Sequence, residues 1–421
     1  MKFLLPFLGL LVATVMSSCA PFGGGGSAST FAPNPQNQSS GPFALGIDRL
    51  IEDNFAILRG KRVGLIMNQT SLTRTGEKTR VALQRGIGRN LTALYTPEHG
   101  LEGTEKAGIH VASRRDPVTG LIAYSLYGAT RKPTPQMLAP VDVLLFDLQD
   151  IGSRSYTYIS TMALAMEAAA ENGKEFIVLD RPNPLGGNRV QGPPLESQWK
   201  SFVGQIPVPY VHGMTAGELS RMINGQGWIK RSPRLMVVPM RGWQRWMAWS
   251  DTGLRWKATS PNIPGPASPF YYATTGILGG LDGVDIGIGT ARPFEYAGGK
   301  GINPGEFAAY MNRMGIPGVR FAPYNSVKKP GFGGVQIMLD PHGQTDLMAL
   351  DLILTSEVIK RSGGAPLRAT RGDTLNLFHK VYGSDSLWRD LNRGRPVGQI
   401  IAGWQPHNAR FRSARQSYLL Y

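Results

Sequence analysis

Carboxylates, amides and imidazoles gather at four short positions in the first half of this 421-residue chain. They are Asn68-Gln69-Thr70, Thr96-Pro97-Glu98-His99-Gly100, Asp147-Leu148-Gln149-Asp150 and Asp180-Arg181-Pro182-Asn183-Pro184. Any one of them is ordinary turn chemistry, because Asn, Asp, Gly and Pro favour turns for local reasons. Four at the ends of strands in one sheet suit a polyol or carbohydrate ligand. Glu98 is the sharpest candidate: a glutamate whose pKa is raised by burial acts as a general acid. A surface carboxylate paired with Lys106 fits the sequence equally well. His99 stands beside it, and its spacing to His110 and Asp116 matches no metal motif, so no metal is assigned. His212 either faces the same crevice or is a hydrogen-bonded structural histidine.

Those residues need elements to hold them. Arg62 to Met67, Leu91 to Tyr95, Val141 to Asp147 and Glu175 to Asp180 are short, nearly continuous apolar runs, and each precedes one polar cluster. Between the last two, Ile159, Met162, Ala163, Met166, Ala169 and Ala170 share one helical face, and Gly173 supplies the C-terminal cap. Strand, helix, strand with unbroken apolar strands predicts a parallel sheet covered on both faces. Ligands of such sheets bind outside the carboxyl ends of the strands, where the four clusters fall. Thr215 and Glu218 form a capping box with Met214 and Leu219 as its staple, which predicts a helix from Ala216 to about Asn224.

The segment from Lys257 to Pro269 carries four prolines and marks a domain boundary. Beyond it a strand at Val335 to Asp340 and a helix at Asp346 to Lys360 predict a second, smaller α/β domain. The expected organisation is a Rossmann-like parallel-sheet N-terminal domain over 44–262 and a C-terminal α/β domain over 263–421. A nucleotide site is disfavoured, because Asn-Gln-Thr follows the first strand where a phosphate loop would be Gly-rich. No GxSxG supports serine catalysis, and no cofactor is expected.

Composition narrows the setting. Apolar residues make up 42% and charged residues 18%, a globular balance, and the formal net charge is +16. The charge suits anionic partners such as acidic lipid or cell-wall polymer. No basic run of five or more argues for nucleic acid. Met1-Lys2, an apolar run from Phe3 to Met16 and the small residues before Cys19 form an export signal over 1–18. The single cysteine, Cys19, sits where a bacterial lipobox places its acylated thiol. Residues 19–43 are rich in Gly, Ser, Pro and Asn and constitute a flexible tether. The expected mature protein is an extracytoplasmic lipoprotein, held to a membrane through lipid on Cys19.

Several of these motifs, in order, resemble the NamZ-type exo-β-N-acetylmuramidases. The resemblance rests on Thr96-Pro97-Glu98-His99-Gly100, Tyr124-Ser125-Leu126-Tyr127-Gly128, Asp147 to Gly152, Tyr156-Thr157-Tyr158, Asp180 to Pro184, Val211 to Thr215 and the closing Tyr418 to Tyr421. It spans about residues 44 to 421. It implies a Rossmann-like first domain, a smaller second domain, a cleft between them, and release of N-acetylmuramic acid from non-reducing ends of peptidoglycan fragments. The family's Glu-His pair matches Glu98 and His99, the glutamate being the catalytic one. Under this reading Asn68, Asp150, Arg154, Asp180, Asn183 and His212 line the sugar site, and an arginine there pairs with the lactyl carboxylate. The sequence departs from the family at a second glutamate, where Gly280 stands. Asp282, Asp285 and Glu295 are the nearby carboxylates open to that role. A non-catalytic muropeptide-binding lipoprotein is the alternative this departure leaves open.

Overall fold

The computed structural model describes residues 41–421, so the expected signal, most of the tether and Cys19 lie outside the described residues. The first half runs through α1 (Gly46–Glu52), β1 (Val63–Met67), α2 (Thr79–Ile87), β2 (Leu91–Thr96), β3 (Arg114–Arg115) and β4 (Ile122–Ser125). It continues with α3 (Pro135–Leu138), β5 (Val143–Asp147), α4 (Tyr158–Glu171), β6 (Glu175–Leu179), α5 (Ala216–Gly225) and β7 (Leu235–Val238). These strands form one sheet in the order β3-β4-β2-β1-β5-β6-β7. All its pairings are parallel except β3 with β4 at the edge. The chain winds outward from β1 through β2 to β4, then returns to β5 and winds the other way. The reversal lies between β1 and β5, the switch point at which such sheets open a crevice.

Alternate residues of the central strands enter two cores. Val63, Leu65 and Met67 of β1 join one cluster with Leu145 of β5, Ile177 and Leu179 of β6, and Ile47 and Leu50 of α1. Ile66, Leu144, Phe146, Phe176 and Val178 point the other way, onto Met162, Met166 and Ala169 of α4. Both faces are covered, which is why these strands are apolar throughout rather than alternating. The expected capping box is present at α5, where Thr215 Oγ1 accepts from the Glu218 N–H at 3.2 Å and Glu218 accepts from the Thr215 N–H at 3.1 Å.

The second half begins at α6 (Ser268–Thr275) and proceeds through β8 (Val284–Asp285), β9 (Tyr296–Lys300), α7 (Pro304–Arg313), β10 (Val319–Asn325) and β11 (Phe332–Leu339). It ends in helices α8 (Leu347–Arg361), α9 (Ala365–Ala369), α10 (Gly372–Tyr382), α11 (Ser386–Asn392) and α12 (Val397–Arg415). Its four-stranded sheet, β10-β11-β9-β8, is antiparallel throughout and gives the smaller α/β domain its centre. Residues of this half, among them Phe270, Phe307 and Ile337, share the larger core with Phe146 and Phe176. No helix of the described residues is long and apolar enough to cross a membrane.

Asp180 ties the end of the chain to the large sheet. Its Oδ2 accepts from Thr215 Oγ1 at 2.7 Å and from the Tyr421 hydroxyl at 2.8 Å. Its Oδ1 accepts from the backbone N–H groups of Gly217 at 2.8 Å and Arg181 at 3.0 Å. A Cβ on Gly217 would stand 2.7 Å from the Asp180 carboxyl carbon, so only glycine lets the acid approach this close to the start of α5. Asp180 was expected to line the sugar site. Its four internal donors and complete burial make it a brace instead. Asp180→Ala would strand those donors in a buried site and should cost about 3 kcal/mol or more. Unfolding by denaturant would show the loss, and an unchanged midpoint would refute the brace.

Candidate active site

Glu98 follows β2 in a tight turn. Pro97 O accepts from the Gly100 N–H at 3.1 Å, and both His99 (φ 71°) and Gly100 (φ 72°) are left-handed. That conformation is uncommon for a side chain larger than glycine, and histidine needs support to hold it. The support is reciprocal: the Glu105 N–H donates to His99 O at 3.3 Å, and the His99 ring meets Glu105 O at 2.7 Å through Nδ1. A carbonyl only accepts, so Nδ1 carries the proton, and in the neutral ring Nε2 is left as an acceptor.

The turn delivers Glu98 to the crevice. Its Oε1 accepts from the Gly108 N–H at 2.8 Å and its Oε2 from Thr157 Oγ1 at 2.7 Å. Among the described residues no ion pair forms at this carboxylate, so the expected alternative of a partnership with Lys106 is not what the fold builds. Three tyrosines surround it. Burial and the Glu98 charge together raise the Tyr127 and Tyr158 hydroxyls above their ordinary value, and Tyr272 is pushed up to about 12. In Tyr272 burial is the larger cause, and Glu98 and Asp150 both add negative charge nearby. Asp150 is therefore the carboxylate that shares a neighbour with Glu98.

Asp150 follows β5. Its Oδ2 accepts from the Gly152 N–H at 2.7 Å, while its buried Oδ1 has no hydrogen-bond partner. Burial raises its pKa to about 7, against the Gly152 hydrogen bond that lowers it. An unpaired carboxylate oxygen at the edge of a crevice is an acceptor awaiting a donor. The remaining lining is aromatic. Tyr156 and Tyr158 pack edge-on at 4.8 Å, Tyr156 meets Tyr272 at 6.0 Å, and Tyr272 meets Phe294 at 5.0 Å. Their hydroxyls reach across the chain: Tyr156 donates to Thr259 Oγ1 at 2.8 Å, and Tyr158 to Thr259 O at 2.6 Å. Ser155 Oγ lies 2.8 Å from the Tyr210 hydroxyl and 2.9 Å from that of Tyr272.

Exposure separates the expected site residues into two groups. Glu98, His99 and Asp150 keep 6–9% of their surface, enough to meet a ligand, whereas Arg154, Asp180 and His212 keep none. Arg154 was expected to read a substrate carboxylate. Its guanidinium donates instead to the carbonyls of Pro193, Val208, Val381 and Tyr382, at 2.6–3.4 Å, and burial lowers its pKa to about 10. Asn183 closes a turn, its Oδ1 accepting from the Leu185 N–H and its Nδ2 donating to Met214 O. His212 accepts from the Met214 N–H through Nδ1, and burial holds the ring neutral, with its pKa down at about 3. Asn68 is a positioning group: its Nδ2 donates to the Tyr158 hydroxyl at 2.8 Å while Thr70 donates twice to its Oδ1.

The site residues that single positions in the sequence did not reveal are the tyrosines, Thr157 and the Thr259 segment. Tyr127, Tyr156 and Tyr158 lie in runs that carried the family resemblance, so a signal existed. Nothing marks Thr259 or Tyr272 in the sequence. At the departure from the family, a Cβ on Gly280 would lie 3.1 Å from the Phe378 ring. Asp285 accepts from the Gly287 N–H and the Tyr324 hydroxyl, Glu295 pairs with Arg292 at 3.3 Å, and Asp282 is exposed. Among the described residues no group of three acids, histidines or cysteines is arranged to hold a metal ion.

A parallel sheet with a carboxylate and an imidazole at the carboxyl end of β2, beside its switch point, walled by tyrosines and free of a phosphate loop, defines an α/β hydrolytic site for a sugar-like ligand. The comparisons give that class a family. Residues 63–267 match the N-terminal, and residues 270–421 the C-terminal, domain of the exo-beta-N-acetylmuramidase NamZ family, and the chain belongs to it. It is 38% identical, over 94% of its length and 96% of the relative's, to a peptidoglycan beta-N-acetylmuramidase NamZ of Bacillus subtilis strain 168. Two crystal structures of DUF1343 family proteins from Bacteroides fragilis share the fold. One has a TM-score of 0.84 at 40% identity, the other 0.69 at 27%, each covering 90% of this chain and 99% of its own.

The Asp150 carboxyl makes a pH prediction. Its folded pKa, about 7, lies above its ordinary 3.8, so the folded chain binds that proton more tightly than the unfolded one. The stability it contributes is complete below about pH 4 and is lost as pH rises through about 7. Asp150→Asn cannot ionise, so its melting temperature should fall less than the parent's over that interval. Parallel curves of melting temperature against pH would show that Asp150 does not titrate there.

Proposed function

We propose that this protein is an exo-β-N-acetylmuramidase that releases N-acetylmuramic acid from non-reducing ends of peptidoglycan fragments in cell-wall turnover. The observation that carries the reading is Glu98: a buried carboxylate without a direct ion pair among the described residues, following β2, in the motif that a family of this activity shares. Glu98 donates its proton to the glycosidic oxygen as the bond to C1 breaks, and Thr157 and the Gly108 N–H hold it in place. His99, with its Nδ1 proton fixed on Glu105 O, presents Nε2 as an acceptor beside the same bond. The tyrosine walls pack the faces of the ring and exclude water from the acid. The net reaction adds water across the C1–O bond.

The test is Glu98→Gln, assayed on a chromogenic N-acetylmuramic acid glycoside alongside the melting temperature. A positioned general acid contributes about 10²–10⁴-fold, so turnover should fall by that factor with folding preserved. Near-parental turnover would remove Glu98 from the mechanism. A parent chain that binds muropeptides yet never hydrolyses them would instead establish the non-catalytic binder.

The N-terminal sequence supports an extracytoplasmic setting. In this reading the signal is cleaved before Cys19, the thiol is acylated, and the residues up to 43 form a tether that lets the enzyme reach glycan ends from the membrane. Cys19→Ala should abolish metabolic labelling with a fatty-acid analogue and release the chain from the membrane fraction. Labelling that persists in this variant would end the lipoprotein assignment.

A further inference from the structure

Arg131 stands apart from the other arginines near the crevice. Arg80, Arg181 and Arg245 are each held by a carboxylate, at 3.2, 2.6 and 2.8 Å from Asp116, Asp147 and Glu218 respectively. Arg154 is spent on carbonyls. The neighbouring Lys132 bridges Glu167 and Glu171. Arg131 has no ion pair among the described residues. Its guanidinium carbon lies 3.7 Å above the Tyr127 ring centre and 4.4 Å from that of Phe202, whose rings stand 5.7 Å apart. The Tyr127 hydroxyl interacts with both Arg131 and Glu98. Arg131 is partly exposed.

A guanidinium laid flat on an aromatic face keeps its N–H edge free, and that edge matches a carboxylate in two parallel hydrogen bonds. Tyr127 borders both this guanidinium and Glu98, so the two groups flank one ring. We propose that Arg131, stacked on Tyr127 and Phe202, is the specificity-determining residue of this site and binds a carboxylate carried on the C3 side of the muramic acid unit. This rests on the muramidase reading and deepens it. Two sources share the chemistry: the lactyl carboxylate itself, free when no peptide is attached, and the acidic groups of a short attached peptide. The site needs no displacement of an internal partner to receive either. Specificity against N-acetylglucosamine follows, because that sugar has no acid to occupy the guanidinium and leaves a half-desolvated cation unpaired.

The test crosses charge on the protein with charge on the ligand. Binding of N-acetylmuramic acid, its methyl ester and N-acetylmuramyl-L-alanyl-D-isoglutamine is measured by competition against the chromogenic glycoside, for the parent, Arg131→Gln and Arg131→Lys. In the parent the acid should bind about 10- to 100-fold more tightly than the ester, the range expected of a charge-assisted pair. Arg131→Gln should erase that preference, and Arg131→Lys should restore part of it by charge alone. If the dipeptide depends on Arg131 as well, the pocket also takes peptide acids; if only the dipeptide does, the source is the peptide and not the lactyl group. Equal weakening of acid and ester by Arg131→Gln, or no weakening of either acid, would overturn the proposal. A parent chain that binds none of the three overturns the muramidase reading and this inference with it. A parent that prefers the acid while Arg131→Gln keeps the same preference overturns the inference alone.

Discussion

Holding the Glu98 carboxylate on a backbone N–H and a hydroxyl, without a direct ion pair among the described residues, is the interaction on which the rest of the site depends. The chain is strongly basic, with a net charge of +16, and several arginines near the crevice are fixed by internal partners. Asp147 takes Arg181 through both oxygens, at 2.6 and 2.9 Å, and also accepts from Thr79. Glu218 takes Arg245, Asp116 takes Arg80, and four carbonyls take Arg154. One of the polar strand ends that look like a ligand site in the sequence, at Asp147, is a partner that immobilises such a cation. What remains for Glu98 is an N–H, a hydroxyl and a ring of tyrosines, donors and neighbours that orient a carboxyl group without carrying charge.

This explains which parts of the architecture were legible in the sequence and which were not. β1, β2, β5 and β6 stood out because a strand buried on both faces leaves an unbroken apolar run, and α4 and α5 because periodicity and a capping box are local signals. The outer strands β3, β4 and β7, and the whole antiparallel sheet of the second half except β11, carried no such mark. β9 contains two glycines and β10 a proline, which read locally as loop. In the sequence, Glu98, His99 and Asp150 were conspicuous as polar residues following strands. Asp180, Asn183, Arg154 and His212 drew the same expectation, and each is hydrogen-bonded within the fold. Residue type and position cannot separate a brace from a ligand, since both need polar groups at strand ends; only the direction of each lone pair does. Asp180 has all its directions filled from within, and Asp150 has one left over.

The Pro-rich segment from Lys257 to Pro269 shows the same limit from another side. Composition marks it as a boundary, and it does join the two halves. It is also a wall of the site: Ala258 and Thr259 carbonyls accept from Gln69 Nε2 at 2.8 and 3.0 Å, and Thr259 receives both Tyr156 and Tyr158. A backbone carbonyl leaves no trace in a sequence, yet here that of Thr259 holds Tyr158 while the Thr259 hydroxyl holds Tyr156. Tyr272 then enters from α6, one turn into the second half, and places its hydroxyl on Ser155 of the first. Neither half alone presents Glu98 with its complete surroundings. The first supplies the acid, the turn that strains His99 into place and the cations' restraints. The second supplies the ring that closes over them. Contacts such as the Tyr272 hydroxyl on Ser155 and the Thr259 segment under Tyr156 and Tyr158 therefore make the site a joint product of both halves.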